Sequence, residues 1–417
     1  MTSPLALLGG KPAVTQATPH FAWPPLTDSA TEAVLDQLHE GISIYDRSGV
    51  IARLEAELAE YHGVRHAVLT SSGTAALHSM YAACRIGPDD EIIVPAYTFF
   101  ATVTPLLHLG ATPVLADCDE NGNLDPRAAA QCITERTFAI VTTHMWGAPA
   151  EVGSLRALAD EHDLILLEDA SHAHGASVDG QQVGTFGRAT AFSMNGPKPL
   201  SAGEGGFVLT NDDEVYYRTL LYSQYNKRCQ NELPPGYRHY RYAVTGVGLK
   251  FRIHPLAAAI ALDQLGHLDG YLAGRASIGA HLCEQLDDLS GIVVPRLGPG
   301  VRSSWYGLIL QYRAEELGGL SVERFYEALK AEGCQEVDRP GSTCPLNLLP
   351  LFQEPGPLFP EFEGKLKYSR GDFPRSEAVH RNTLKLPVWH REDDMPLVDC
   401  YIEAFRKVVD NYSDLVG

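Results

Sequence analysis

Residues 164–176 read LILLEDASHAHGA. The apolar run Leu164–Leu167 shows no in–out alternation, and such a run suits a strand buried on both faces. It ends in two carboxylates, Glu168 and Asp169, followed by a turn of small residues that carries His172 and His174. Strands buried on both faces belong to parallel sheets covered by helices, where ligands bind beyond the carboxyl ends of the strands. Asp169 therefore falls at the edge where a ligand would be met.

The same pattern continues on both sides. Ala67–Thr70, Glu91–Val94, Thr112–Ala116 and Phe138–Thr143 are short apolar runs upstream, and Ala189–Met194 and Gly206–Thr210 lie downstream. Helical patterns separate them at Thr74–Cys84, in the stretch up to Leu109, at Pro126–Ile133 and at Ser154–His162. Alternating strands and helices predict an α/β fold, with a mostly parallel sheet, right-handed crossovers and helices on both faces. Pro255–Leu265 is a strongly apolar helix leading out of this region. Beyond Gly270 the character changes. A strand at Leu308–Tyr312, an amphipathic helix at Ser321–Ala331 and a last helix around Pro396–Val409 predict a smaller α+β domain. The expected organisation is an N-terminal arm over 1–40, a large domain over 41–269 and a small C-terminal domain over 270–417. Residues 335–373 are Pro-rich with little periodicity, and read as a surface loop or a lid over the site.

A chain of 417 residues is long enough for one large domain and a smaller one, and 45% hydrophobic residues supply a substantial core. The 33 basic residues against 52 acidic ones give a net charge of -19, which argues against a nucleic-acid partner. The eight cysteines form no C-x-x-C pair, so they read as free thiols in a reducing compartment. The apolar run Leu5–Leu8 is too short for a signal peptide, and no stretch approaches the ~20 apolar residues of a membrane span. A cytoplasmic protein with no membrane partner is expected. Asp117–Gly122 imitates the start of a calcium loop, but its twelfth position is Ala128 and Pro126 intrudes. It reads as a strand-ending turn, and no metal site is expected.

Three motifs carry chemistry. Thr70–Leu77, TSSGTAAL, follows a strand and opens a helix, so Ser72, Gly73 and Thr74 form a phosphate cradle at a positive helix end. Alone it would read as an ordinary N-cap. Asp169 at its strand end can hold a protonated pyridine nitrogen and keep that ring an electron sink. Alone it would read as a cap, and His172 and His174 as satisfied histidines at the sheet edge. Phe192–Lys198, FSMNGPK, places Lys198 just past a strand between Pro197 and Pro199, and GEGG follows at Gly203–Gly206. A partly desolvated lysine loses proton affinity and attacks an aldehyde. A lone lysine is otherwise a solvated surface residue. The three occur together, and in this order.

In that combination the chain resembles the DegT/StrS-type family of sugar aminotransferases, from GGKP (Gly9–Pro12) to LKLPVW (Leu384–Trp389). The resemblance implies the fold-type I architecture that binds pyridoxal 5'-phosphate, in a homodimer with shared active sites. It makes Lys198 the Schiff-base lysine and proton shuttle, and Asp169 the partner of the pyridine nitrogen. It gives the phosphate to the backbone at Ser72, Gly73 and Thr74 and to the Ser193 hydroxyl. Phe99, in VPAYTF, matches the aromatic that stacks on the ring, and His172 matches a residue lying against it. Two departures stand out. Ser72 replaces the usual Asn, and Lys250 stands where many relatives have an Asn that reaches the neighbouring subunit's phosphate; a lysine there could still bind phosphate as a point charge. The implied reaction moves an amino group from L-glutamine or L-glutamate to a keto group. LLGGKPAV (Leu7–Val14) and WPPL (Trp23–Leu26) look like segments of relatives that act on cyclitol ketones in natural-product biosynthesis. A nucleotide-sugar acceptor, an elimination or carbon–carbon reaction on the same cofactor, and a non-catalytic regulator are the competing readings. Lys198 weighs against dehydration, which relatives of this kind carry out with a histidine in its place, and the lack of a basic helix-turn-helix segment weighs against the regulator.

Overall fold

A computed structural model describes residues 4–416, so Met1–Ser3 and Gly417 lie outside the described residues. Seven strands build the large sheet: β1 (His66–Thr70), β2 (Glu91–Pro95), β3 (Thr112–Ala116), β4 (Thr137–Thr143), β5 (Ile165–Asp169), β6 (Ala189–Ser193) and β7 (Gly206–Thr210). Their order is β1-β7-β6-β5-β4-β2-β3, and every pair is parallel except those that β7 makes with β1 and β6. The fold is thus α/β, as expected. β7 returns antiparallel from β6 because the connection Met194–Gly205 contains no crossover helix. That connection carries Lys198.

The missing alternation in LILL has a direct cause. Leu166 packs with Ile140 and Leu155 on one face, while Leu167 packs with Met80, Val141 and Ala191 on the other. In register, Asp169 lies between Thr143 of β4 and Ala191 of β6, at the carboxyl end of the sheet's middle. Asp117–Gly122 is a turn: Asp119 Oδ1 accepts the amides of Asn121 and Asn123, both at 2.9 Å.

Three stretches differ from the sequence reading. The segment up to Leu109 is not one helix. Tyr97–Phe99 pairs antiparallel with Thr343–Pro345, Phe100–Thr102 makes one tight turn, and Thr104–His108 is a short helix. The helix read as Pro255–Leu265 continues unbroken to Leu286. Its first part, with Ala258, Leu265 and Leu272, is buried in the large-domain core, and Ile278, Leu282 and Leu286 are buried in the small one. Position 269/270 lies within this helix, whose buried side chains change cores between Leu272 and Ile278. Third, residues 343–373 are stitched to the large domain. Leu346, Phe352 and Phe373 enter its core, and Tyr368 Oη accepts from Leu115 N at 3.0 Å on the edge strand β3. The stretch has apolar side chains to bury, so of the two readings of 335–373 it is the free surface loop that fails.

The small domain is built on three antiparallel strands, β8 (Ile292–Val293), β9 (Leu308–Tyr312) and β10 (Thr383–Leu386). Helices Val322–Ala331 and Met395–Asp410 complete it, the first capped by Ser321 Oγ, which accepts from Arg324 N at 3.2 Å. The beginning of the chain belongs to the same core through Leu5 and Val14. The buried Glu332 carboxylate fixes it, accepting from Ala6 N at 2.7 Å and Ala13 N at 3.0 Å. No helix among the described residues is long and apolar enough to cross a membrane.

Candidate active site

The carboxyl ends of β5 and β6, the N-terminus of helix Gly73–Ala83 and the Lys198 connection enclose a cavity of ≈ 360 Å³. Ser72, Gly73, Thr74, Phe99, Asp169, His172, Ser193 and Lys198 all line it. Lys250 does not; it is exposed, outside this cavity.

One wall is a helix start. Ser72 Oγ caps it, accepting from Ala75 N at 3.1 Å, so the hydroxyl is engaged and the first-turn amides are what the wall offers. Those amides carry the positive end of the helix dipole. Glycine at 73 is demanded by contact: a Cβ there would lie 2.5 Å from Ser193 Cβ. Gly206 has the same cause, since its Cβ would lie 2.5 Å from Ser72 O. Strands β6 and β7 therefore press directly on the cradle.

Glu168 and Asp169 are adjacent with opposite fates. Glu168 points away from the cavity and is fully buried. It accepts from Gly184 N at 2.9 Å, Phe186 N at 2.9 Å and Gly187 N at 2.7 Å, and pairs with His144 Nε2 at 3.2 Å. Burial alone would raise its carboxyl, but His144 and these amides hold it below the usual value. It is a structural anchor. Asp169 faces the cavity, with Oδ2 accepting from Thr102 Oγ1 at 2.7 Å and Oδ1 from Ser171 N at 3.1 Å. Those bonds fix its orientation.

Lys198 is half-buried, and its Nζ lies 4.7 Å from the centroid of the Tyr306 ring. Burial pushes its amine down to about 8, Asp169 opposes that, and Lys385 adds to it. The Pro-flanked backbone is fixed as well: Trp23 Nε1 donates to Lys198 O at 2.8 Å.

His172 stacks on Tyr306 with ring centroids 4.3 Å apart. Its Nδ1 accepts from Trp146 N at 3.3 Å, which places the ring proton on Nε2. Burial, with Lys198 and Lys385 nearby, keeps it well below the ordinary histidine range, so it is neutral. His174 is a core residue, as the bland reading had it. It is packed on Phe192, its Nε2 donates to Ser193 O at 2.8 Å, and burial lowers it to about 3.

The amine, the acid, the helix start and the stacked histidine share one cavity. Residues 27–397 match the model of the DegT/DnrJ/EryC1/StrS aminotransferase family. The chain belongs to this family. A curated relative, the L-glutamine:scyllo-inosose aminotransferase of Streptomyces griseus, is 33% identical, with all of both chains covered. The L-glutamine:2-deoxy-scyllo-inosose aminotransferase of Streptomyces kanamyceticus is 34% identical over all of this chain and 99% of its own. Among solved structures, the aminotransferase from Psychrobacter cryohalolentis superposes with a TM-score of 0.83 at 27% identity, covering 95% of this chain and all of that one. The chain is thus an aminotransferase on a fold shared with other enzymes of this family.

Several residues around this cavity are not marked by the sequence reading. Thr102 and Thr98 stand behind Asp169, with their hydroxyls 2.9 Å apart. Tyr306 comes from the small domain. Trp146 packs against His172 with φ at +57°, an uncommon conformation for a bulky residue. The one available signal was SSWYG (Ser303–Gly307), two aromatics beside a glycine just before a strand.

Proposed function

We propose that this aminotransferase holds pyridoxal 5'-phosphate and moves an amino group from L-glutamine or L-glutamate onto a keto group of a cyclitol. The observation that carries the reading is one cavity lined by the Lys198 amine, the Asp169 carboxylate and a helix start whose Cβ-free Gly73 leaves the cradle open. The residues fit the cofactor. First-turn amides suit a phosphate, an oriented carboxylate suits a ring nitrogen, and a half-buried amine held near 8 suits an aldehyde. When bound, pyridoxal phosphate supplies the electron sink for the substrate carbon.

The protein's own residues do the rest. Asp169 keeps a positive charge on the partner it faces. Lys198 Nζ, once free, carries a proton to and from the reacting carbon, because its lowered proton affinity lets it work in both directions near neutral pH. Tyr306 and neutral His172 wall the amine off from water. A cyclitol acceptor is supported by relatives that are named for scyllo-inosose and 2-deoxy-scyllo-inosose and align along the whole chain.

We also infer a homodimer. On the segment before Lys250, Tyr242, Val244 and Val247 are 43%, 55% and 60% exposed, more than single apolar side chains at a surface need. A second copy would cover them and bring Lys250 to its partner's cradle. Sedimentation should give twice the 45.4 kDa chain mass.

The test of function follows the cofactor spectrum. L-glutamine added to the loaded enzyme should convert the pyridoxal form to the pyridoxamine form, and scyllo-inosose should restore it. A spectrum unmoved by glutamine and by glutamate defeats the aminotransfer reading. Conversion by glutamine with restoration only by a nucleotide-linked keto sugar defeats the cyclitol alone.

A further inference from the structure

Arg275 is 1% exposed, and among the described residues no carboxylate pairs with it. The contrast with Arg228 is sharp. Arg228 is equally buried, but both its terminal nitrogens bond Glu55 at 2.8 Å. A buried charge without a counter-charge is costly, and a group kept in that state calls for an explanation. His174 and His390 lie near it and burial holds both below the ordinary range, so they add no repulsion, but a histidine is no counter-charge to a guanidinium. An apolar residue would fill the same space without that cost.

What Arg275 does touch is informative. Its guanidinium carbon lies 4.1 Å from the centroid of the Trp23 ring, and Nη1 donates to Trp305 O at 3.2 Å. Nε has no partner. Trp23 is the residue whose indole N–H holds Lys198 O. Trp305 has φ at +51°, and its ring occupies the space left by Gly279, one helical turn beyond Arg275, where a Cβ would lie 2.8 Å from it. The next residue is Tyr306, whose ring faces the Lys198 amine. The far side of that segment is also fixed: Ser304 N donates to Gly147 O at 3.0 Å, and Ser304 Oγ to His172 O at 2.6 Å.

We propose that Arg275 is a positioning residue for Lys198, holding Trp23 against the lysine's backbone and the Trp305–Tyr306 segment against its amine. The inference rests on Lys198 being the reactive amine. Arg275 suits the task because a flat guanidinium can stack on a ring and donate sideways in the same plane. It sits on helix Pro255–Leu286 between Leu272 and Ile278, where the helix passes from one core to the other. From there it reaches Trp23, which precedes the large domain, and Trp305 of the small domain. The groups that face the Lys198 amine come from separate elements: Asp169 from β5, His172 from the turn after it, Tyr306 ahead of β9 and Lys385 from β10.

The experiment uses the full-length, cofactor-free protein. Competitive acetylation across pH, read on the Lys198 peptide by mass spectrometry, reports the amine's protonation without any turnover. In the wild type the amine should titrate near 8. In Arg275→Met the clamp loosens and water reaches the amine. Its titration should move toward the ordinary lysine value, and capture of pyridoxal phosphate should slow about tenfold. Arg275→Lys keeps the charge but cannot stack flat, and should fall between. Trp23→Phe keeps a ring but loses the bond to Lys198 O. It should shift the amine in the same direction, and the double variant should show less than the sum. A folded Arg275→Met protein with unchanged Lys198 titration and capture rate overturns the inference and leaves the reading of Lys198 standing. If that variant does not fold, unchanged titration in both Arg275→Lys and Trp23→Phe overturns it. A wild-type Lys198 that titrates like a surface lysine sinks the proposed function itself.

Discussion

Thr102 Oγ1 donates to Oδ2 of Asp169 at 2.7 Å, and this bond sets the plane of the carboxylate that faces the cavity. The hydroxyl of Thr98 lies 2.9 Å behind Thr102 and steadies it. Thr102→Val preserves shape and removes the donor. A hydrogen bond to a charged group contributes about 1.5–3 kcal/mol, so pyridoxal phosphate should bind roughly tenfold or more weakly. Asp169→Asn removes the negative charge itself, and should lower the glutamine half-reaction by at least about a hundredfold. Cofactor titration and single-turnover spectra check the two. Wild-type cofactor affinity in Thr102→Val would reduce Thr102 to a packing residue.

The fold pays to keep a half-buried ammonium at Lys198. Its amine is held near 8, against 10.5 in an unfolded chain. Between these values the unfolded chain binds the extra proton, so stability contributed by this group rises with pH across that window. Below it the fold carries the whole cost, on the order of 2–3 kcal/mol. Lys198→Met removes that cost. The cofactor-free variant should melt above the cofactor-free wild type at neutral pH, by a few degrees, and the gap should close between about pH 8 and pH 10.5. A gap that does not change with pH would mean the gain came from packing, not from charge. The same variant should fix no cofactor on treatment with borohydride.

The sheet was legible because its strands have no alternative. Thr112–Ala116 and Gly206–Thr210 emerge with the bounds that their apolar runs suggest. Tyr97–Phe99 was misread because its partner, Thr343–Pro345, is far away in the chain, and local periodicity does not report such a pairing. The long helix was cut short at Leu265 for a related reason. Gly266, Gly270, Gly274 and Gly279 weaken its pattern, yet two of them are small because something approaches: His390 O would lie 1.9 Å from a Cβ at Gly274, and the Trp305 ring 2.8 Å from one at Gly279. The motif residues of the cavity could be listed from sequence because helix starts and strand ends are local features. Thr102 and Arg275 could not, since each acts through a neighbour that the fold supplies, and Tyr306 left only the faint signal of SSWYG.

His172 is an acceptor, not a switch. Its Nδ1 takes the Trp146 amide at 3.3 Å, and burial keeps the ring neutral. Its resonance should not titrate between about pH 5 and pH 8, which a histidine-selective NMR experiment would follow. His172→Gln retains an oxygen that can accept from Trp146 N, so turnover should stay within about tenfold of wild type. His172→Leu leaves that buried amide unpaired, at a cost of about 1–3 kcal/mol, and should lower the melting temperature where His172→Gln does not. Equal melting of the two variants would show that the acceptor role carries no weight.

Gly73 tests the cradle without touching any group that does chemistry. A methyl there would lie 2.5 Å from Ser193 Cβ, 2.9 Å from Ser193 Oγ and 3.0 Å from Ser193 Cα, with little freedom to yield because β6 is buried along its length. Gly73→Ala must push the helix start away from β6 or turn the Ser193 hydroxyl aside. Overpacking of this kind costs about 1–3 kcal/mol, which a protein of this size can absorb while staying folded. The first-turn amides and Ser193 would then no longer converge, so both pyridoxal phosphate and free inorganic phosphate should bind at least about tenfold more weakly. The acetylation profile of Lys198 should stay as in the wild type, because that amine is held from the other side of the cavity by Trp23 and Tyr306. Phosphate competition against cofactor binding separates the two effects. Unchanged phosphate affinity in a folded Gly73→Ala protein would place the phosphate elsewhere in the cavity.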